Sequence, residues 1–396
     1  MERWEIPKPL RKAKYSLKGV GFIIAFPLGI IFCFIGLVLI QPLQYFSLTQ
    51  SLYEQYAIKQ KQAFGTLVVW ITQVFAPTSF VISVDDRTAR TSWIATLGNS
   101  ECLGVKLPKN TVWVSNHQTL ADGLYIWTLA YFTQTYSTLI IFLKSALRKV
   151  PIIGWGSSKF KFLFVERNWE KDQIAFQKEL DTVTSELADG TRPGLCLLVF
   201  PEGTLVTGNT RPNSIKYAQK LGISDLKHAL LPRSTGLYFI LKRLAKDVPD
   251  LCLVDLTFAY PGPKPPYGPY WPEDYYDLTL WMTNTPPPQI NVHIRVIPIA
   301  DIPLTAKSTP EDEQKGKAVF EKWLINLWRE KDEMLASFLE TGRLVPFTKE
   351  NNAKIPIRLT RAMDVATAFS VWIYIPFWIL HRMLGFRFGL GEKVQN

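Results

Sequence analysis

From Val20 to Ile40 the chain runs for 21 residues without one charged side chain. At ~1.5 Å rise per residue, a helix of that length is about 31 Å long, the thickness of a bilayer's hydrocarbon core. A segment so uniformly apolar has no polar face to offer water, so it belongs in lipid or against protein on most sides. A secretory signal would have a shorter apolar part and a small-residue cleavage site; here Gln41-Pro42-Leu43 follows, so the segment reads as a retained anchor. Six basic residues, Arg3, Lys8, Arg11, Lys12, Lys14 and Lys18, precede it against only Glu2 and Glu5. That clustering favours an anionic membrane face over nucleic acid and places this end on the cytosolic side.

Two further apolar runs follow. Ala63 to Ile82 lacks charge, but Pro77 divides it, and Phe80-Val81-Ile82-Ser83-Val84 reads as a strand opening the next domain. About 14 residues remain, too few to span comfortably, so a re-entrant or interfacial helix partnering the first is expected, a second span being the other arrangement. Val365 to Leu380 carries Phe369, Trp372, Tyr374, Phe377 and Trp378, is broken by Pro376, and has basic residues on both sides; its aromatics suit a membrane interface. Apolar residues make up 47% of the chain and charged ones 20%, a balance that suits a membrane-anchored catalytic domain rather than a wholly buried protein. Cys33, Cys102, Cys196 and Cys252 are scattered and pair with none of the four histidines at ligand spacing, so neither a disulfide framework nor a metal site is expected.

Between about residues 84 and 300 short apolar runs alternate with amphipathic stretches, the pattern of an α/β domain with a central mixed sheet flanked by helices. Strands are expected at Thr111 to Ser115, Leu139 to Leu143, Phe162 to Val165, Leu195 to Phe200 and Leu251 to Phe258. A helix capped by Asn168 and closed at Gly190 carries Phe176, Leu180, Val183 and Leu187 on one face. Asn291 to Val296 alternates polar with apolar, which puts His293 on the solvated face of a half-buried strand. Pro261 to Pro269 reads as a projecting loop. From Glu311 to Leu339 a stripe of Phe320, Trp323, Leu324, Leu327, Trp328 and Leu335 faces either the domain or lipid. The expected organisation is residues 1–83 as basic N-terminus and membrane-embedded helices and 84–300 as catalytic domain. Residues 301–350 then form a helical extension and 351–396 a C-terminal membrane-associated hydrophobic segment.

The informative stretch is Val114-Ser115-Asn116-His117-Gln118-Thr119-Leu120-Ala121-Asp122, where a buried strand ends and delivers a histidine followed five residues later by an aspartate. Strand ends are where α/β domains carry active sites. An imidazole with a pKa near ~6.5 can take a proton from a hydroxyl at neutral pH, and a carboxylate on its other nitrogen fixes the tautomer. Taken alone, the pair also fits a hydrogen-bonded loop histidine and a helix cap. A second cluster, Phe200-Pro201-Glu202-Gly203-Thr204, again leaves a strand end.

Together the two clusters resemble the glycerolipid acyltransferase family, whose signatures are an Asn-His, four residues, then Asp, and a Phe-Pro-Glu-Gly-Thr block about eighty residues on. The resemblance runs from roughly residue 110 to 262. Lys144-Ser145-Ala146-Leu147 leading to Pro151-Ile152-Ile153-Gly154-Trp155, Phe164-Val165-Glu166-Arg167 and Leu231-Pro232-Arg233 look like the family's intermediate blocks. Leu230 to Gly236 and Asp255 to Pro261 resemble the branch of lysocardiolipin and lysophosphatidylinositol acyltransferases.

The resemblance implies an O-acyltransferase in which His117 is the general base and Asp122 orients it. It assigns Arg167, Glu202, Gly203 and Thr204 to acceptor binding, with Lys144 and Arg233 as further substrate-binding residues. It implies acyl-CoA as co-substrate with no cofactor or metal, a lysophospholipid acceptor and a lipid bilayer as partners, no nucleic acid, and, through the branch, the endoplasmic reticulum membrane. Glu202 is expected to orient Arg167 or to accept from acceptor hydroxyls, and amides near Gly203 to support the oxyanion. Ser115 is not needed as a nucleophile, because direct attack by the acceptor requires only a base. Many family members place arginine directly after the Phe-Pro-Glu-Gly-Thr block, where this chain has Leu205; the lost charge points to a phosphodiester acceptor with a headgroup. Lysophosphatidic acid acylation shares every motif, and a catalytically silent membrane scaffold is disfavoured by the intact His117, Asp122 and Glu202. Neither a GxxxxGK[ST] loop nor a GxGxxG turn occurs, which disfavours nucleotide hydrolysis.

Overall fold

Largely apolar strands of three to nine residues build the centre of the molecule. In chain order the strands are β1 (Ser79–Val84), β2 (Asn110–Ser115), β3 (Leu139–Lys144), β4 (Leu163–Val165), β5 (Leu195–Val199), β6 (Cys252–Ala259), β7 (Ile290–Pro298) and β8 (Asn352–Pro356). They form one mixed sheet in the order β4-β3-β5-β2-β6-β7-β1-β8. The neighbours β4, β3, β5, β2 and β6 are parallel, β7 runs antiparallel to β6, and β8 runs antiparallel to β1. This computed structural model describes residues 2–11, 17–90, 106–150, 153–166, 168–262, 270–305, 309–346, 352–360 and 364. Arg167, Cys102, the loop from 263 to 269 and the apolar run Val365 to Leu380 lie outside the described residues.

The longer helices are α1 (Leu17–Ile40), α2 (Ser47–Phe75), α3 (Asp122–Phe132), α4 (Trp169–Ala188), α5 (Arg211–Leu221), α6 (Ser234–Asp247) and α7 (Pro310–Thr341). One core, against α1, α2 and α3, takes Trp113, Leu198 and Val254; the other, against α4, α6 and α7, takes Val112, Val114, Leu197 and Leu253. Both faces of the central strands are thus covered, which is why β2, β5 and β6 read as continuous apolar runs rather than alternating ones. His293 departs from its expected solvated position for the same reason: β7 lies between β6 and β1, and the imidazole is buried with Nδ1 3.0 Å from Ser83 Oγ. Burial pushes its pKa down to about 4, the nearby Asp255 charge opposing.

Helices α1 and α2 pack as an antiparallel hairpin at whose crossing Gly29 meets Leu67; a Cβ there would sit 2.6 Å from the leucine methyls. The segment Leu17–Tyr45 is the one described helix long and apolar enough to cross a membrane. Yet part of α1 packs on the domain, Phe34 seating against Gly156 and Trp155, while Val20, Ile23, Ile24, Leu28, Val38 and Leu39 face outward. The second helix is twice the expected length because a polar first half, Ser47 to Gln62, precedes its apolar run. The basic N-terminus also folds back: Arg11 donates to Tyr275 O at 2.9 Å and Thr285 Oγ1 at 3.2 Å, Arg3 to Thr283 O at 3.3 Å, and Lys8 pairs with Asp277. Three of the cations expected to face lipid headgroups therefore engage the segment that follows the proline-rich loop. The stripe on α7 turns to the domain, with Phe320, Leu324 and Trp328 fully buried, and β8 joins the sheet edge ahead of the last apolar run.

Candidate active site

Four adjacent parallel strands, β4, β3, β5 and β2, deliver four motif blocks to the same end of the sheet. His117 follows β2, Phe200 to Thr204 follow β5, Lys144 closes β3 opposite Val165, and Arg167 comes two residues after β4. Arg167 itself is not among the described residues, Lys144 is exposed, and Arg233 is exposed with its guanidinium 3.5 Å from the Tyr217 ring centre. Arg233's amide donates to Pro201 O at 2.8 Å, tying its block to the Phe-Pro-Glu-Gly-Thr turn.

Asn116 sets the direction in which the chain leaves the sheet. Its side-chain amide donates to Phe258 O at 2.9 Å and accepts from Phe258 N at 2.8 Å, so a side chain continues the β2–β6 ladder for one step. His117 then emerges with its side chain 18% exposed and Nδ1 2.9 Å from Asp122 Oδ2. The same oxygen accepts from the amides of Gln118 at 2.7 Å and Thr119 at 3.0 Å, and Oδ1 accepts from Tyr260 at 2.5 Å. A fully buried carboxylate with four donors is held in one rotamer. Because a carboxylate only accepts, His117 carries its proton on Nδ1, leaving the Nε2 lone pair free for a substrate proton. The ring stacks on Phe200 at 4.0 Å between centroids and 18° between planes, which fixes its plane.

Glu202 lies behind this turn, not on its open side. The side chain is 5% exposed; Oε1 accepts from His117 N at 3.3 Å and Trp328 Nε1 at 3.1 Å, and Oε2 from Leu230 N at 3.3 Å. Its carboxyl group thus locks β2's turn to the 228–231 stretch and to α7, making a positioning contact on the histidine's backbone. Burial pushes its carboxyl up to about 8, against the pull of Trp328, the two amides and the Lys331 charge. A carboxyl raised above its unfolded value stays protonated in the fold while the unfolded chain ionises. Its contribution is complete below about pH 4.3 and is lost as pH climbs towards 8. Replacing it in Glu202→Gln removes that ionisation, so between pH 5 and 8 the variant's unfolding midpoint should fall less than the wild type's. Parallel curves for the two proteins would contradict this.

Gly203 adopts φ +72°, the left-handed region open to glycine, and its amide donates to Phe200 O at 3.0 Å. That amide closes the turn. Thr204 and Leu205 follow half-buried, and the next amide, Val206 N, donates to His117 O at 3.2 Å, so residue 205 sits directly beside the histidine's backbone. Sequence reasoning passed over Asn116's bridging role, Tyr260, Trp328 and Glu273, whose Oε2 accepts from Leu120 N at 2.7 Å within the turn that follows β2. Tyr260 and Glu273 flank the proline-rich loop, and that adjacency was the one available signal.

Residues 101–254 match the family model described as Acyltransferase, and residues 281–370 match Acyltransferase C-terminus. The chain is 30% identical over 352 residues to a 2-acyl-1-lysophosphatidylinositol acyltransferase of Saccharomyces cerevisiae, covering 80% of this chain and 84% of that one. It is 28% identical to lysophosphatidylinositol acyltransferase 10 of Caenorhabditis elegans, over 69% of this chain and 67% of that one. Against lysocardiolipin acyltransferase 1 of Gallus gallus the identity is 29% over 59% of this chain and 55% of the other.

Proposed function

Since this chain belongs to the acyltransferase family, we propose that it moves a fatty acyl group from acyl-CoA to the free glycerol hydroxyl of a lysophospholipid. The observation that carries the reading is the His117 Nδ1–Asp122 contact of 2.9 Å, which leaves Nε2 as a base at the open end of the sheet. The acceptor hydroxyl gives its proton to Nε2 as its oxygen attacks the thioester carbonyl carbon. The tetrahedral adduct collapses by breaking the carbon–sulfur bond, and the departing CoA thiolate is protonated, in the simplest course by the imidazolium. No metal or cofactor enters this sequence of steps. Lys144, Arg167 and Arg233 would meet the acceptor's phosphate, Gly203 and Thr204 would line its approach, and Glu202 would act by fixing the histidine's backbone. The endoplasmic reticulum membrane is the proposed location, with the outward apolar face of α1 against the bilayer.

The acceptor we favour carries a headgroup, lysophosphatidylinositol or a close relative. Two relatives are named for lysophosphatidylinositol, and Leu205, beside the histidine's backbone, adds no cation to a phosphate site. A phosphomonoester brings more charge than a phosphodiester, and one missing charge-assisted bond is worth roughly 1.5–3 kcal/mol, on the order of tenfold or more in rate constant. Purified full-length protein presented with lysophosphatidylinositol and lysophosphatidic acid under one acyl-CoA should turn over the former at least about tenfold more efficiently. Preference for lysophosphatidic acid would move the assignment to phosphatidic acid synthesis.

A further inference from the structure

At the end of the sheet remote from His117, a cleft of about 80 Å³ opens between the polar half of α2 and the starts of β3, β4 and β5. Four cations line it, Lys61, Lys159, Lys161 and Arg192, against two carboxylates, Glu54 and Glu186. Glu186 is shared between Lys161 and Arg192, the latter at 2.9 Å, so one anion answers two cations. Lys61 is 5% exposed, and its ammonium meets the Phe160 carbonyl at 3.0 Å and the Phe162 ring at 5.2 Å rather than a carboxylate. Lys159 reaches Gln44 Oε1 at 3.3 Å, in the turn that ends the apolar helix. Tyr53, 9% exposed, lines the same cleft with a buried hydroxyl that has no hydrogen-bond partner. A buried lysine with no carboxylate at hand and an orphaned hydroxyl are each costly, and both costs are relieved by one anion with several acceptor oxygens.

We propose that this cleft binds a phosphate group, that of an anionic phospholipid headgroup at the membrane surface. Phosphate offers the acceptor oxygens that the hydroxyl of Tyr53 and the ammonium groups of Lys61 and Lys159 can share. The lipid source follows from the surroundings: Tyr45, Phe46 and Leu48, at the tip of the helical hairpin, are 72%, 64% and 92% exposed, placing large apolar side chains beside the cations. The phosphate of the reacting acceptor is a different group. Strands of this length separate the cleft from His117 by about 20 Å, whereas an acceptor's phosphate lies a few bonds from its reacting hydroxyl. The lipid assignment rests on the bilayer association proposed above; the phosphate chemistry does not.

The test uses full-length protein in neutral detergent, followed by its thermal unfolding midpoint during titration with dioctanoyl phosphatidylglycerol, dioctanoyl phosphatidylcholine or inorganic phosphate. Phosphatidylglycerol should raise the midpoint saturably and at lower concentration than phosphatidylcholine. Tyr53→Phe and Lys159→Ala should each weaken that response about tenfold while leaving acyl transfer unchanged. Tyr53→Phe carries the decision if the lysine variant folds poorly, because removing an unpartnered hydroxyl without ligand should be neutral or stabilising. If inorganic phosphate alone reproduces the response and both variants weaken it, the anion site stands and its occupant is the free ion. A midpoint that no phosphate compound raises, or a rise that both variants leave intact, overturns the proposal.

Discussion

His117→Ala should lower acyl transfer by about 100-fold or more, while the unfolding midpoint stays near that of the parent. The two halves of that expectation come from different contacts. Nε2 has no structural duty among the described residues, and the partly buried ring loses only its stacking on Phe200 and its bond to Asp122. Asp122→Ala should behave differently, losing activity and stability together, because four donors, from His117, Gln118, Thr119 and Tyr260, converge on that one buried carboxylate. Unsatisfied buried donors cost roughly 1–3 kcal/mol each, so the turn itself should loosen. Initial rates with saturating acyl-CoA, read beside thermal melts, separate the two variants. A His117→Ala protein that transfers acyl groups at the parental rate would remove the histidine from the chemistry, and one that melts far lower would make it a structural residue.

What the sequence disclosed and what it hid divide along physical lines. Strands β2 to β6 are legible because both faces are covered, so their residues are apolar in unbroken runs. The α4 cap at Asn168 is equally legible, since its side chain accepts from Lys171 N within the next turn. Contacts between residues distant in the chain are not legible in this way. Glu202 reads as a polar residue at a strand end, and only folding brings Trp328 and Leu230 to its oxygens. The alternation around His293 correctly marks a strand but does not reveal that strands on both sides enclose it. Likewise the charges at Arg3, Lys8 and Arg11 are consistent with lipid in the sequence and engage protein carbonyls and a carboxylate in the fold.

Lys331→Met should cost roughly 3–5 kcal/mol of stability, the usual consequence of breaking a buried ion pair from one side. In sequence Lys331 is one lysine among the charges of an amphipathic helix. In the fold it is fully buried, pairs with Asp255 in the middle of β6, and donates to Leu256 O at 2.6 Å and Thr257 Oγ1 at 3.2 Å. The other oxygen of Asp255 faces Arg295 at 2.8 Å, and Arg295 continues to Glu330, so the substitution unbalances a network of alternating charge. The removal of one cation leaves a buried carboxylate with a single partner. Asp255→Leu combined with Lys331→Met should recover part of the loss, since apolar replacement of both members avoids the stranded charge. Position also links this pair to the site: Trp328, three residues earlier on the same helix, holds Glu202, and Phe258, two residues beyond Leu256 on the strand, is the partner of Asn116. Acyl transfer by Lys331→Met should therefore fail at a lower temperature than in the parent, in step with its unfolding. Denaturant midpoints of the two single variants and the double decide it. Equal midpoints for parent and Lys331→Met would mean that the helix is held by its apolar stripe alone and that the ion pair contributes nothing to seating it beneath the turn that carries His117.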